Sequence, residues 1–200
     1  MLPKNTMKIV EFLLRNPAQK YNVNQLAKEI KISVGSAHKI LKQLKNKKIA
    51  ESDKLGNAIF YNLNLKNRET QKICEIALIE SKNKALSNNA VAKVYANELE
   101  KLTAARAIVL FGSVLTKKEK ANDVDVLFII KNKEDVKKVS DFCLEISKTK
   151  TKAVVPLIMT KTDMQNKIKE KNPVIIEVMK TGIVLYGEDT IVEALSDVQN

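Results

Sequence analysis

Asp-Val-Asp-Val-Leu-Phe-Ile-Ile, from Asp123 to Ile130, leaves this chain few ways to fold. A strand sends residues i and i+2 to the same face, so Asp123 and Asp125 must stand together at its start. Strand and helix signals alternate around it. Ala107 to Phe111 is a buried-type strand ending in Gly112-Ser113, and a short polar segment, Lys117 to Asn122, leads into the acidic strand. A helix over about Glu134 to Ser147 turns Val136, Val139, Phe142, Cys143 and Ile146 inward, and Ala153 to Met159 is a third strand. Helices around Asp163 to Lys169 and Pro173 to Lys180 precede a short strand, Ile183 to Tyr186. The pattern predicts an α/β (α+β) layer of about 95 residues with a mixed sheet.

The first third is built differently. Apolar residues at Ile9, Val10, Leu13 and Leu14 mark a helix that ends at Asn16-Pro17. Asn22 with Gln25 three residues on forms a capping box for a helix burying Val23, Leu26, Ala27 and Ile30. Ser33 caps the next helix, Val34 to Asn46. Its inner face holds Ala37, Ile40, Leu41 and Leu44, and its outer face Ser36, His38, Lys39, Lys42 and Gln43. Two short helices so closely joined predict a helix-turn-helix. Ile49 to Ser52 and Ala58 to Leu63 follow as strands, the second with Ile59, Tyr61 and Leu63 alternating, across a turn-rich loop, Asp53 to Asn57.

Charge agrees with that division. Residues 1–66 hold thirteen basic side chains against four acidic ones, leaving +9 of the +12 total. Such asymmetry points to a polyanion partner for the first third. From Asn24-Gln25-Leu26-Ala27-Lys28-Glu29-Ile30 through Leu41-Lys42-Gln43-Leu44 the chain resembles helix-turn-helix transcription regulators of the winged type, over about residues 5–65. The resemblance implies double-stranded DNA as partner. Ser36, His38, Lys39 and Lys42 would meet base edges or phosphates, and Lys54 a phosphate at the wing.

Residues 67–86 predict a helix with Ile73, Ile76, Ala77 and Ile79 on its apolar face, which either makes the protein a homodimer or closes the core of the winged helix. Ser87-Asn88-Asn89 interrupts. A second helix places Val91, Val94, Tyr95, Leu99 and Leu102 against the following domain. The organisation expected is therefore a winged helix over 1–65, connecting helices over 66–104 and an α/β domain over 105–200.

Phe111-Gly112-Ser113, ten residues ahead of Asp123-Val124-Asp125, is similar to the signature of the nucleotidyltransferases of the DNA polymerase β superfamily. The segment Lys180 to Gly187 also looks like the end of their minimal members. Paired carboxylates repel unless a cation joins them, and hard oxygen ligands favour Mg²⁺, which makes Asp123 and Asp125 metal ligands and catalytic residues by this resemblance. Gly112 would let backbone approach a phosphate, and Ser113 would donate to the triphosphate of a bound nucleotide. Active members bring a third carboxylate on a later strand. Ala153 to Met159 has none, Asp163 lies beyond it, and Val114-Leu115-Thr116 stands where the family often has Ala-Arg-Gly.

Three functions follow as expectations. One is a transcription regulator whose second domain binds Mg²⁺-nucleotide or a protein partner. Another is an active transferase placing a nucleotide monophosphate on a protein, RNA or small molecule. The last is an antitoxin-like member of a two-protein system. Apolar runs such as Val124 to Ile130 fall far short of the roughly 20 residues a bilayer requires, and the N-terminus has no apolar signal core, so a cytoplasmic protein without membrane attachment is expected. Cys74 and Cys143 each lie in an apolar helical pattern, and with a single histidine in the chain they predict buried free thiols rather than a zinc set.

Overall fold

In the computed structural model, which describes residues 2–17 and 19–198, the chain opens on α1 (Lys4–Arg15). Ile9, Val10, Leu13 and Leu14 are all buried there. Asn22 ends a two-residue strand, β1 (Tyr21–Asn22), and caps α2 (Val23–Glu29). Its Oδ1 accepts from the Gln25 amide at 3.0 Å, while the Gln25 side chain accepts from the Asn22 amide at 2.9 Å, which is the expected capping box. Ser33 caps α3 (Val34–Asn46) by accepting from the Ser36 amide at 3.2 Å. Strands β2 (Ala50–Leu55) and β3 (Ala58–Leu63) pair antiparallel, and β1 adds to β3, giving the order β1-β3-β2. Three helices followed by this hairpin form a winged helix.

The wing differs from expectation. Asp53, Lys54 and Leu55 continue β2, in register with Phe60, Ile59 and Ala58, so the five-residue loop shrinks to a turn at Gly56-Asn57. Gly56 takes φ +59° at the first central position, the left-handed geometry that matches a two-residue turn to strand twist. Ile59 lies too far along the hairpin to reach the core and is 48% exposed, although Tyr61 and Leu63 on the same side are buried.

The second half carries a sheet of order β6-β5-β4-β7, built from β4 (Ala105–Phe111), β5 (Asp123–Ile130), β6 (Ala153–Thr160) and β7 (Ile183–Tyr186). β5 and β6 are parallel, joined across α7 (Asp135–Thr149), and the other pairs are antiparallel, so the sheet is mixed as expected. Ile108, Leu110, Val124, Val126, Phe128 and Val154 enter a core shared with α7 and with α5 (Ala90–Leu99). Ala107, Val109, Leu127, Ile129 and Met159 face the other way, toward α8 (Lys161–Lys169), α9 (Pro173–Thr181) and α10 (Glu188–Val198). α10, which no sequence signal singled out, buries Ile191, Val192 and Leu195.

That second core runs without a break into the winged helix, through α4 (Arg68–Ser87). Arg15 ties the parts together. Its guanidinium pairs with Glu11 at 2.8 Å and donates to the Gly182 carbonyl at 2.6 Å and to Ser81 Oγ at 3.2 Å. α4 turns a different face inward from the one its isoleucines suggested. Thr70, Cys74, Ala77 and Leu78 are buried, whereas Ile76 and Ile79 are 47% and 41% exposed. Val94 and Val136, also expected inside, stand out as well, because Ala92, Ala96 and Leu99 of α5 and Val139, Cys143 and Ile146 of α7 set the contact stripes. Cys74 and Cys143 are buried free thiols, pushed up by burial to about 12 and about 11. Among the described residues no helix is long and apolar enough to cross a membrane.

Candidate functional site

Asp123 and Asp125 stand at the start of β5, on the face that α8, α9 and α10 cover only farther along the strand. Both are partly exposed, while their neighbours Val124 and Val126 are buried beneath the opposite face. Register puts Asp125 between Phe111 of β4 and Val155 of β6, two apolar side chains. Its carboxyl is raised above the usual range, first by this burial and then by the negative charge of Asp123. The expected pair of carboxylates is therefore present, and the two sense each other.

Gly112 sits directly beneath. It adopts φ +78° and ψ −155°, a region essentially reserved for glycine. A β-carbon there would fall on Asp125 Oδ2 and lie 3.0 Å from its Cγ. The close approach foreseen for a phosphate is thus taken by the site's own carboxylate, and Gly112 is required for Asp125 to lie where it does. Ser113 begins α6 (Ser113–Lys117), a short helix followed by a 3-10 turn at Lys118–Lys120. Ser113 is half-buried, and Lys117, Lys118 and Lys120 are exposed along the connection to β5.

Three supporting residues carried no signal for this role in the sequence. Asn89, 5% exposed, caps α5 by accepting from the Ala92 amide at 3.0 Å and donates to the Val114 carbonyl at 2.9 Å, bracing α6. Lys152 Nζ donates to the carbonyls of Glu119 and Ala121, holding the chain that delivers Asp123. Tyr95 Oη accepts from the Lys152 amide at 2.7 Å and fixes the entry to β6. Each acts across a long sequence separation, so only folding brings it to the site.

Among the described residues no third carboxylate joins the pair. The position beside Asp125 on β6 is Val155, 44% exposed. Asp163 lies past the far end of β6, where its carboxylate accepts from the Thr160 amide at 3.0 Å and from the Thr160 hydroxyl at 2.7 Å as part of the α8 capping box. Those bonds hold it below the usual carboxylate range. Among the described residues no group of three or more His, Cys, Asp or Glu side chains is placed to hold a metal ion. The donor set fits one hard divalent cation through Asp123 and Asp125, and does not fit a pair of them.

The winged helix presents the other predicted residues. Ser36, His38, Lys39 and Lys42 are all exposed on α3, and Lys54 is exposed on β2 near the wing turn. The Ser36 hydroxyl already accepts from Ser33 Oγ at 2.9 Å. His38 lines an open cleft of about 320 Å³ with Asn22, Asn24, Asn57 and Ile59, so Asn24 and Asn57 join the face that the sequence assigned to α3 and to Lys54 of the wing. Lys20 pairs with Asp53 at 2.6 Å at the base of the wing.

Residues 93–191 match the family model for polymerase beta nucleotidyltransferases, so the second half of the chain is nucleotidyltransferase-like. The match begins within α5 and takes in the glycine turn and both aspartates. Among solved structures, the adhesin competence repressor AdcR of Streptococcus pyogenes is similar at 19% identity and a TM-score of 0.37, covering 52% of this chain and 69% of that one. The zinc-responsive MarR family member ZitR of Lactococcus lactis is similar at 15% identity and a TM-score of 0.35, covering 74% of this chain and 76% of that one. No curated protein matches the sequence significantly.

Proposed function

We propose that this protein is a DNA-binding transcription regulator whose nucleotidyltransferase-like domain binds a Mg²⁺-nucleotide as a signal and does not transfer it. The observation that carries this reading is Val155, an apolar side chain in register with Asp125 where a third carboxylate would complete a catalytic set. A divalent ion on Asp123 and Asp125 would offset their mutual repulsion and take phosphate oxygens as further ligands. Gly112 keeps the Asp125 carboxylate in place, and Ser113 lies next to it to donate to a phosphate. Support for the DNA partner comes from the +9 charge of residues 1–66 and from the exposure of Lys39, Lys42 and Lys54.

Titration calorimetry with each Mg²⁺-nucleoside triphosphate, followed by a pyrophosphate-release assay on the same sample, tests the first part. Binding without release is expected, and it should be lost in an Asp123→Asn, Asp125→Asn double variant. Release of pyrophosphate by the wild type would make the protein a transferase, a reading favoured by the two carboxylates that remain together. Equal binding by the double variant would remove the metal site. Fluorescence anisotropy with duplex DNA tests the second part. Affinity should fall steeply with salt, and Lys39→Ala or Lys42→Ala should lower the slope of log K against log salt by about 1. A flat salt response would exclude phosphate-driven binding.

A further inference from the structure

Two lysines of the winged helix stand where a helix usually ends in glycine. Lys31 follows α2 at φ +55°, and Lys48 follows α3 at φ +58°. This left-handed backbone costs any residue with a β-carbon, whereas glycine takes it freely. Both helices close in the same way. The Lys31 amide donates to the Lys28 carbonyl at 3.3 Å, and the Ile32 amide to the Ala27 carbonyl at 3.0 Å. After α3 the amides of Lys48 and Ile49 donate to the carbonyls of Lys45 and Leu44, both at 2.9 Å. These are Schellman caps, whose left-handed position glycine most often fills.

Lys48 is fixed further. Its carbonyl accepts from Asn64 Nδ2 at 3.1 Å and from Asn67 Nδ2 at 3.2 Å. Its backbone is thus held while its side chain, like that of Lys31, stands exposed. Of the four acids in residues 1–66, Glu11 is taken by Arg15 and Asp53 by Lys20. Among the described residues neither Lys31 nor Lys48 pairs with an acid.

A cation at a helix C-terminus suits the dipole, and Lys171 at the end of α8 repeats the arrangement at φ +54°. The cap by itself therefore names no partner. Position does. Lys31 and Lys48 lie just beyond the two ends of α3, whose thirteen residues make it about 20 Å long. The major groove is roughly 12 Å wide. A helix set across it brings both ends to the walls, which are lines of phosphates.

We infer that Lys31 and Lys48 are phosphate anchors at opposite ends of α3, their ammonium groups presented by strained caps while Lys39 and Lys42 occupy the face between. This rests on the DNA-binding reading and adds that α3 lies across the groove rather than along it.

Fluorescence anisotropy of the full chain with a fluorescein-labelled duplex, between about 50 and 200 mM salt, decides it. Asparagine tolerates the left-handed backbone, so Lys31→Asn and Lys48→Asn remove the charge and keep the cap. Each should lower the slope of log K against log salt by about 0.9, with unchanged far-UV circular dichroism. Lys31→Arg and Lys48→Arg should keep the wild-type slope. A variant that merely unfolds in part would shift log K equally at every salt concentration and leave the slope alone. Lys171→Asn, which removes the same charge from the same kind of cap, should also leave it alone. If Lys39→Ala lowers the slope and either Lys31→Asn or Lys48→Asn does not, the two-ended contact is wrong and DNA binding stands. An equal loss in Lys171→Asn would trace the effect to net charge and overturn the inference. A wild type with a flat salt response would remove both this inference and the reading beneath it.

Discussion

Gly112→Ala is the substitution that probes the acidic site most directly. Two costs are visible in the structure. The backbone at φ +78°, ψ −155° lies where a residue with a β-carbon loses on the order of 1–3 kcal/mol. The added methyl also lands on the Asp125 carboxylate, 3.0 Å from Cγ and 3.1 Å from Cβ, so the side chain must swing away or the β4–α6 turn must open. Together these amount to about 2–4 kcal/mol. In a chain of this size that lowers Tm by roughly 4–16 °C. The two contributions separate in a double-mutant cycle read by urea unfolding. In an Asp125→Ala background the overlap with the carboxylate is gone, leaving the backbone cost and the 3.1 Å approach to the remaining β-carbon, so the cycle should show a coupling of about 1 kcal/mol or more. Additivity within about 0.5 kcal/mol would refute the claim that Gly112 exists to make room for Asp125.

Other substitutions test other parts. Because burial and Asp123 raise the Asp125 carboxyl, the folded state disfavours its charged form, and stability contributed here falls as pH rises from the unfolded value of about 3.9 through the raised one. Asp125→Asn should therefore raise Tm at pH 7, with the difference closing as pH approaches 3. Arg15→Ala should cost about 2–4 kcal/mol by chemical denaturation, since it strips the Gly182 carbonyl and Glu11 of a mostly buried partner; Arg15→Lys should recover only part, lacking the planar fork. Asn89→Ala should cost about 1–3 kcal/mol, since it removes both the α5 cap and the donor to the Val114 carbonyl; Asn89→Asp keeps the cap acceptor but sets a buried carboxylate oxygen against that carbonyl, and should not recover wild-type stability at pH 7. Val155→Asp would restore an acid beside Asp125 and should tighten Mn²⁺ or Mg²⁺ binding by calorimetry. An unchanged affinity would show that this position does not face the carboxylate pair.

Much of this protein is written in local pattern. The capping box at Asn22 and the cap at Ser33 announced where α2 and α3 begin, because a side-chain oxygen three residues from the amide it serves is a purely local arrangement. The alternation in Asp123-Val124-Asp125 determined that both carboxylates share a face, since the period of a strand is a property of the backbone alone. The absence of an acid from Ala153 to Met159 could likewise be read directly. What local pattern left open was which apolar residues would find partners. Ile76, Ile79, Val94 and Val136 are as hydrophobic as their buried neighbours, yet the inner faces of α4, α5 and α7 were chosen by the surfaces they meet. Strand register, set by pairing over long separations, placed Val155 and Phe111 beside Asp125 and so raised its carboxyl. Asn89, Tyr95, Lys152 and Arg15 acquire their roles through hydrogen bonds that span 25 to 167 residues, and no window of sequence contains both ends of such a bond.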